Sequence, residues 1–145
     1  MSTYASKELR RINHLHWEID AAYHEMSMKL GMSDSAMKIV YTICDNGDSC
    51  LLQDICRRSG LSKQTVNSAI RKLEAEGIVY LESVGAKNKN VLLTDVGVRF
   101  AEKTAVRMIK VENEIFASWS KEDVSKYLEL TEKFMIAIES GAKNM

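Results

Sequence analysis

The sequence predicts a mainly α protein carrying one small β-hairpin. Six segments repeat apolar residues at the three-and-four spacing of an amphipathic helix. Between Ile78 and Thr94 the period drops to two, the signature of paired strands. The chain has no proline, and its seven glycines fall mostly between the periodic segments, so long unbroken helices are permitted.

From about Tyr4 to Leu30, the positions Leu9, Ile12, Ile19, Tyr23, Met26 and Leu30 form one helical stripe, with His16 on the same line. Gly31 closes that helix. Ser33 is placed to cap a second one, which carries Met37, Val40, Tyr41 and Cys44 and ends at the turn "DNGDS". A short third helix, Leu52 to Ser59, directs Leu52, Ile55 and Cys56 inward, and Gly60 breaks it. Ser62 caps a fourth helix, whose buried set Val66, Ala69, Ile70 and Leu73 is spaced i, i+3, i+4, i+7. Gly77 stops it. The strands "IVYLES" and "NVLLT" follow, joined by the tip "VGAKNK". Thr94 caps a fifth helix, read as continuous from Asp95 to Ala117. After the turn "SWSKED", a sixth runs to about Ser140 with Val124, Tyr127, Leu128, Thr131, Phe134, Met135 and Ile138 on one face. Two short helices joined by a glycine turn and followed by a hairpin describe a winged helix-turn-helix, here flanked by long terminal helices.

Composition sets limits on function. At 145 residues the chain fits one domain, and 46% hydrophobic with 28% charged residues is ordinary for a soluble folded protein. No apolar run reaches membrane-spanning length, and "MSTYASKELRRINHLHWEID" lacks a signal-peptide core, so a cytoplasmic location without membrane contact is expected. Cys44, Cys50 and Cys56 form no C-x-x-C pair, and reduced thiols are the default. There is no Ser–His–Asp order, phosphate loop or H-E-x-x-H, which argues against an enzyme, and no cofactor pattern is present. Twenty basic residues balance twenty acidic ones, which by itself argues against nucleic acid. The distribution is uneven, however. Residues 53–90 hold seven Lys or Arg against four acids, and that segment contains the fourth helix and the hairpin.

The fourth helix has an unusual surface. A solvated helix is normally laced with Glu and Lys, but its first turns show Ser62, Lys63, Gln64, Thr65, Asn67 and Ser68. The second helix of a helix-turn-helix offers its N-terminal residues to base edges, which differ in hydrogen-bond pattern and need short donors and acceptors. Gln64 suits adenine, and Thr65 and Ser68 suit several bases. Lys63 and Asn67 suit bases or backbone, and Arg71 and Lys72 suit phosphates. Lys87, Asn88 and Lys89 at the hairpin tip suit phosphate or minor-groove contact. The blander reading is an incidental polar helix, with Ser62 a cap in either case, and a solvated loop.

The stretch "LLQDICRRSGLSKQTVNSAIRKLEAEGIVYLE…KNKNVLLTDVGVRF" resembles the MarR family of bacterial winged-helix transcriptional regulators. "GLSKQTV" opens the recognition helix, "LEAEGIV" leads into the wing, and "LTDVG" follows it. The resemblance implies a homodimer on double-stranded DNA. Residues 33–94 would form the DNA-binding region, and residues 1–32 and 95–145 a helical dimerisation region. The two recognition helices would sit about 34 Å apart on a pseudo-palindrome. It also implies a repressor released by a small molecule or by oxidation. Many members carry Asp-x-Arg in the wing; this chain has "GAKNKN", so Lys87 or Lys89 must substitute.

The sensor is less sharply marked. His16, Trp17 and Tyr23 are the candidate lining of a ligand pocket, although aromatic residues at helical spacing also serve packing. His16, Asp20 and His24 recur at i, i+4 and i+8, a pattern that can present metal ligands, yet no histidine follows His24 and no metal site is assigned. For thiol sensing, Cys50 is expected to be the exposed cysteine, in a turn, while Cys44 and Cys56 belong to the core. Two alternatives stand beside the ligand-responsive repressor: a protein-interaction module that kept the fold and lost DNA, favoured by the neutral charge and absent wing Arg, and a thiol-based redox-sensing regulator.

Overall fold

Serine and threonine hydroxyls start most of the helices. The computed structural model describes residues 4–145 and divides into two units, one ending at Met108 and the other spanning Ile109–Met145. Helix α1 (Lys7–Lys29) begins where Ser6 Oγ accepts from the Leu9 N–H, and α2 (Asp34–Asp45) where Ser33 Oγ accepts from Ala36. A strand β1 (Ser49–Leu51) leads into α3 (Leu52–Ser59), which closes at Gly60 in the left-handed conformation, φ 71°. Helix α4 (Lys63–Ala75) starts on Ser62, and strands β2 (Val79–Val84) and β3 (Asn88–Leu93) form the hairpin. Thr94 caps α5 (Asp95–Lys103), α6 (Ala105–Ala117) follows, and Ser120 caps α7 (Lys121–Lys143).

The core of the first unit is built from Ile39, Val40 and Ile43 of α2, Ile55 of α3, and Val66, Ile70 and Leu73 of α4, closed by Val79 and Val91 from the sheet. The mainly α architecture with a hairpin wing is as the sequence predicts, with two differences. The sheet has three strands in the order β1-β3-β2, because Ser49–Leu51 pairs antiparallel with β3. A three-residue strand is too short to declare its period. This overturns the expectation for Cys50. It lies opposite Val91, which is fully buried, and is itself 1% exposed, making it the most buried of the three cysteines.

The second difference is that the helix expected from Asp95 to Ala117 breaks at Thr104. There the N–H turns to the i−3 carbonyl of Ala101 (3.1 Å), while the hydroxyl donates to the i−4 carbonyl of Phe100 (2.8 Å). A threonine hydroxyl competing for the i−4 carbonyl bends helices. The break costs one residue, so the apolar spacing on either side still reads as one stripe.

In the second unit, Phe116, Trp119 and Tyr127 meet around the α6–α7 turn with ring centroids 5.0 to 6.0 Å apart, in edge and tilted arrangements. Beyond them α7 has no buried residue along its 23-residue length, and Leu128 and Phe134 are 63% and 56% exposed. In the first unit, α1 buries only Ser27 and leaves Leu9, Ile12, Ile19 and Tyr23 partly exposed, at 39 to 46%.

Candidate nucleic-acid interface

Val66, Ile70 and Leu73 pin one side of α4 to the core, and that fixes where its other side chains go. At about 100° per residue, Gln64, Ser68 and Arg71 stand on the line opposite the core. Lys63 and Asn67 lie on one flank, Asn67 being half-buried. Thr65 and Lys72 lie on the other flank. With Gln64 and Ser68 they line a cleft of about 460 Å³, shared with Met32, Ser33 and Ser35 at the start of α2 and with Phe100 of α5. Every predicted recognition-helix residue except Asn67 is exposed.

The start of α4 is electrostatically unlike its neighbours. Ser62 Oγ accepts from the Thr65 N–H (3.1 Å) and donates to Thr65 Oγ1 (2.8 Å). The other helices that begin on a serine or threonine cap, α1, α2, α5 and α7, all place an acid in their first turn, where it offsets the positive end of the helix dipole. Helix α4 has none and begins with Lys63 instead. Free N–H groups, a dipole and a cation thus gather where an anion is favoured.

Ion pairing sharpens the charge distribution. Arg57 pairs with Asp54 (2.9 Å), and Arg58 reaches Asp45 (2.5 Å) and Asn46 Oδ1 (2.9 Å), tying α3 to the end of α2. Among the described residues, Lys63, Arg71, Lys72, Lys87 and Lys89 make no ion pair. Within residues 53–90 the positive charge left over therefore sits on α4 and the wing.

The wing is longer and tighter than expected. Val84 pairs with Asn88 and Ser83 with Lys89, which leaves only Gly85, Ala86 and Lys87 as the loop, with Gly85 at φ 70°. Lys87, Asn88 and Lys89 are all exposed. The wing root is fastened to α4 through Thr94. Its hydroxyl donates to the Gly77 carbonyl (2.5 Å) and accepts from the Gly97 N–H (2.8 Å), and its own N–H donates to Ile78 (3.0 Å). Gly97 lets α5 come this close, since a Cβ there would lie 1.9 Å from the Ile78 carbonyl oxygen. Sequence reasoning read Thr94 as a cap only. The tie to Gly77 is long-range and leaves no local pattern, although "LTDVG" marked the place.

Residues 30–87, from the end of α1 to the wing tip, match the MarR family model. This winged helix is similar to those of the MarR family. The matched span takes in α2, α3, α4 and β2 and stops short of Asn88, Lys89 and the Thr94 tie. Among proteins of curated function, none matches the sequence. Solved MarR structures share the fold over nearly the whole chain. A MarR family regulator from Neisseria meningitidis is 15% identical with a TM-score of 0.82, covering 97% of this chain and 100% of its own. Sco3205, a MarR family transcriptional regulator from Streptomyces coelicolor in complex with DNA, is 14% identical with a TM-score of 0.71, covering 93% and 94%. NadR in complex with 4-hydroxyphenylacetate is 15% identical with a TM-score of 0.71, covering 92% and 95%.

Against this MarR framework the sensor candidates do not converge. His16, Trp17 and Tyr23 are exposed on α1, with Trp17 about 100° around the helix from His16, and the cleft beside α4 includes none of them. His16 and His24 are about 12 Å apart along the axis, too far to share one ion. His24 Nδ1 instead contacts Asp34 Oδ2 (2.8 Å), joining the end of α1 to the start of α2. Among the described residues no group of three His, Cys, Asp or Glu side chains is placed to hold a metal. Burial, with Asp48 adding to it, pushes the Cys44 thiol up to about 11. Burial also raises Cys50, with Arg58 partly offsetting it. Neither environment favours a thiolate.

Proposed function

We propose that the protein is a homodimeric transcriptional regulator that binds double-stranded DNA sequence-specifically at a pseudo-palindromic operator. The observation that carries this is the start of α4: an acid-free first turn, a leading cation, and an exposed row of short donors and acceptors on a helix held rigidly from behind. The five unpaired cations on α4 and the wing supply the phosphate-facing charge. In this reading residues 33–94 contact DNA and the helices of residues 1–32 and 95–145 pair two chains. The exposed apolar rows of α1 and α7 support dimerisation, because rows of that length do not stay open to water. A repressor role with release by a small molecule completes the proposal, the NadR complex supplying the precedent for an aromatic carboxylate effector and His16, Trp17 and Tyr23 the residues to probe first.

The test is a gel-shift and anisotropy titration of the purified protein against its own promoter DNA at about 100 mM salt, where phosphate contacts still contribute strongly. A specific complex that survives excess unrelated duplex is the expected result. No complex even at low salt, with a protein partner recovered instead, would establish the interaction-module alternative.

A further inference from the structure

We propose that Arg71 is a base-reading residue that recognises guanine, extending the reading surface of α4 a further turn. This deepens the proposed DNA-binding function and departs from the sequence-based assignment of Arg71 and Lys72 alike to phosphate. The two side chains are adjacent in sequence but point apart. Arg71 continues the outward line of Gln64 and Ser68, whereas Lys72 turns about 100° into the cleft beside Ser33 and Phe100.

The guanidinium is free for the role. Glu74 stands three residues on, yet Arg71 makes no ion pair among the described residues, unlike Arg57 and Arg58. The next position on the outward line is Ala75, which is too small to block an extended side chain. Reach also matters, because the N-terminus of a recognition helix lies deepest in the groove and later turns lie farther from the bases. At the ninth residue of α4 a short polar side chain falls short, and arginine spans the gap. Its planar fork presents two fixed donors to guanine O6 and N7, where lysine offers only a compact ammonium on a flexible stem. Seven residues separate Gln64 from Arg71, about 10 Å of helix, so the guanine should lie roughly three base-pair steps from the base that Gln64 reads.

The experiment is selection from a random-sequence duplex pool by the wild type, Arg71→Lys, Arg71→Ala and Lys72→Ala, with salt titrations on the winning sequence. Both side chains are exposed, and circular dichroism checks that each variant is folded. The expected wild-type motif contains one guanine per half-site whose preference falls about tenfold or more in Arg71→Ala and by less in Arg71→Lys. Lys72→Ala should keep the motif and lower the salt slope by about 0.9. A motif left intact by both Arg71 variants, with the slope lowered in Arg71→Ala, marks a phosphate contact and overturns the assignment alone. A wild type that enriches no motif overturns the sequence-specific function first, and this assignment with it.

Discussion

Two glycines in helices illustrate how position decides what a residue does. Gly97 sits where α5 meets the Ile78 carbonyl, and a methyl there would lie 1.9 Å from a backbone oxygen that cannot step aside. Gly97→Ala should therefore lower stability by about 1–3 kcal/mol, the usual cost of overpacking, and shift the urea midpoint down. Gly141 in α7 has nothing within 4 Å of its added Cβ, so Gly141→Ala should be neutral or stabilising, by up to about 1 kcal/mol from helix propensity. Equal effects at both sites would contradict the packing described. Cys44 gives a pH signature. Its thiol is held up to about 11 in the fold against 9.0 unperturbed, so the unfolded chain loses that proton first as pH rises. The contribution is fully present below about pH 9 and is lost as pH climbs through the folded value. Wild type should lose more stability than Cys44→Ala across that window in parallel urea melts. The same environment should slow iodoacetamide labelling of native Cys44 relative to unfolded chain at about pH 8.

At the level of elements, the proposed function divides the work between the wing and α4. Lys87 and Lys89 carry no sequence information if they meet phosphate, so Lys87→Ala and Lys89→Ala should weaken binding to all duplexes alike. Each should reduce the slope of log affinity against log salt by about 0.9. A changed base preference in either variant would mean that the wing reads bases instead. Most of these elements were legible beforehand because their signals are local. Ser6, Ser33, Ser62, Thr94 and Ser120 cap from adjacent positions, and Val66, Ile70 and Leu73 repeat at helical spacing. What escaped depends on distant partners. The strand Ser49–Leu51 exists only because β3 offers it an open edge, and Cys50 is buried for the same reason. The break at Thr104 rests on a hydroxyl choosing a carbonyl, which apolar spacing does not record. The candidate interface was readable as residue types. That Lys72 turns into the cleft while Arg71 does not needed the core contacts of α4.

For the whole molecule, the open apolar rows make a quantitative demand. Sedimentation equilibrium should give twice the 16.4 kDa chain mass. Phe134→Asp or Leu128→Asp, each placing a charge on the bare face of α7, should shift that mass toward one chain and weaken operator binding with it. A single-chain mass for the wild type at micromolar concentration would refute dimerisation. The charge layout has a further consequence, in how such a protein finds its target. The chain is neutral overall, with twenty basic residues against twenty acidic ones, so little long-range field would draw such a regulator toward a chromosome. Attraction begins only within about one screening length of the duplex, near 10 Å at ordinary salt. Long residence on random sequence would then be disfavoured, and the search should proceed by many brief collisions in free solution rather than by extended sliding. A regulator of this kind gives up speed of arrival but is seldom held on the wrong site.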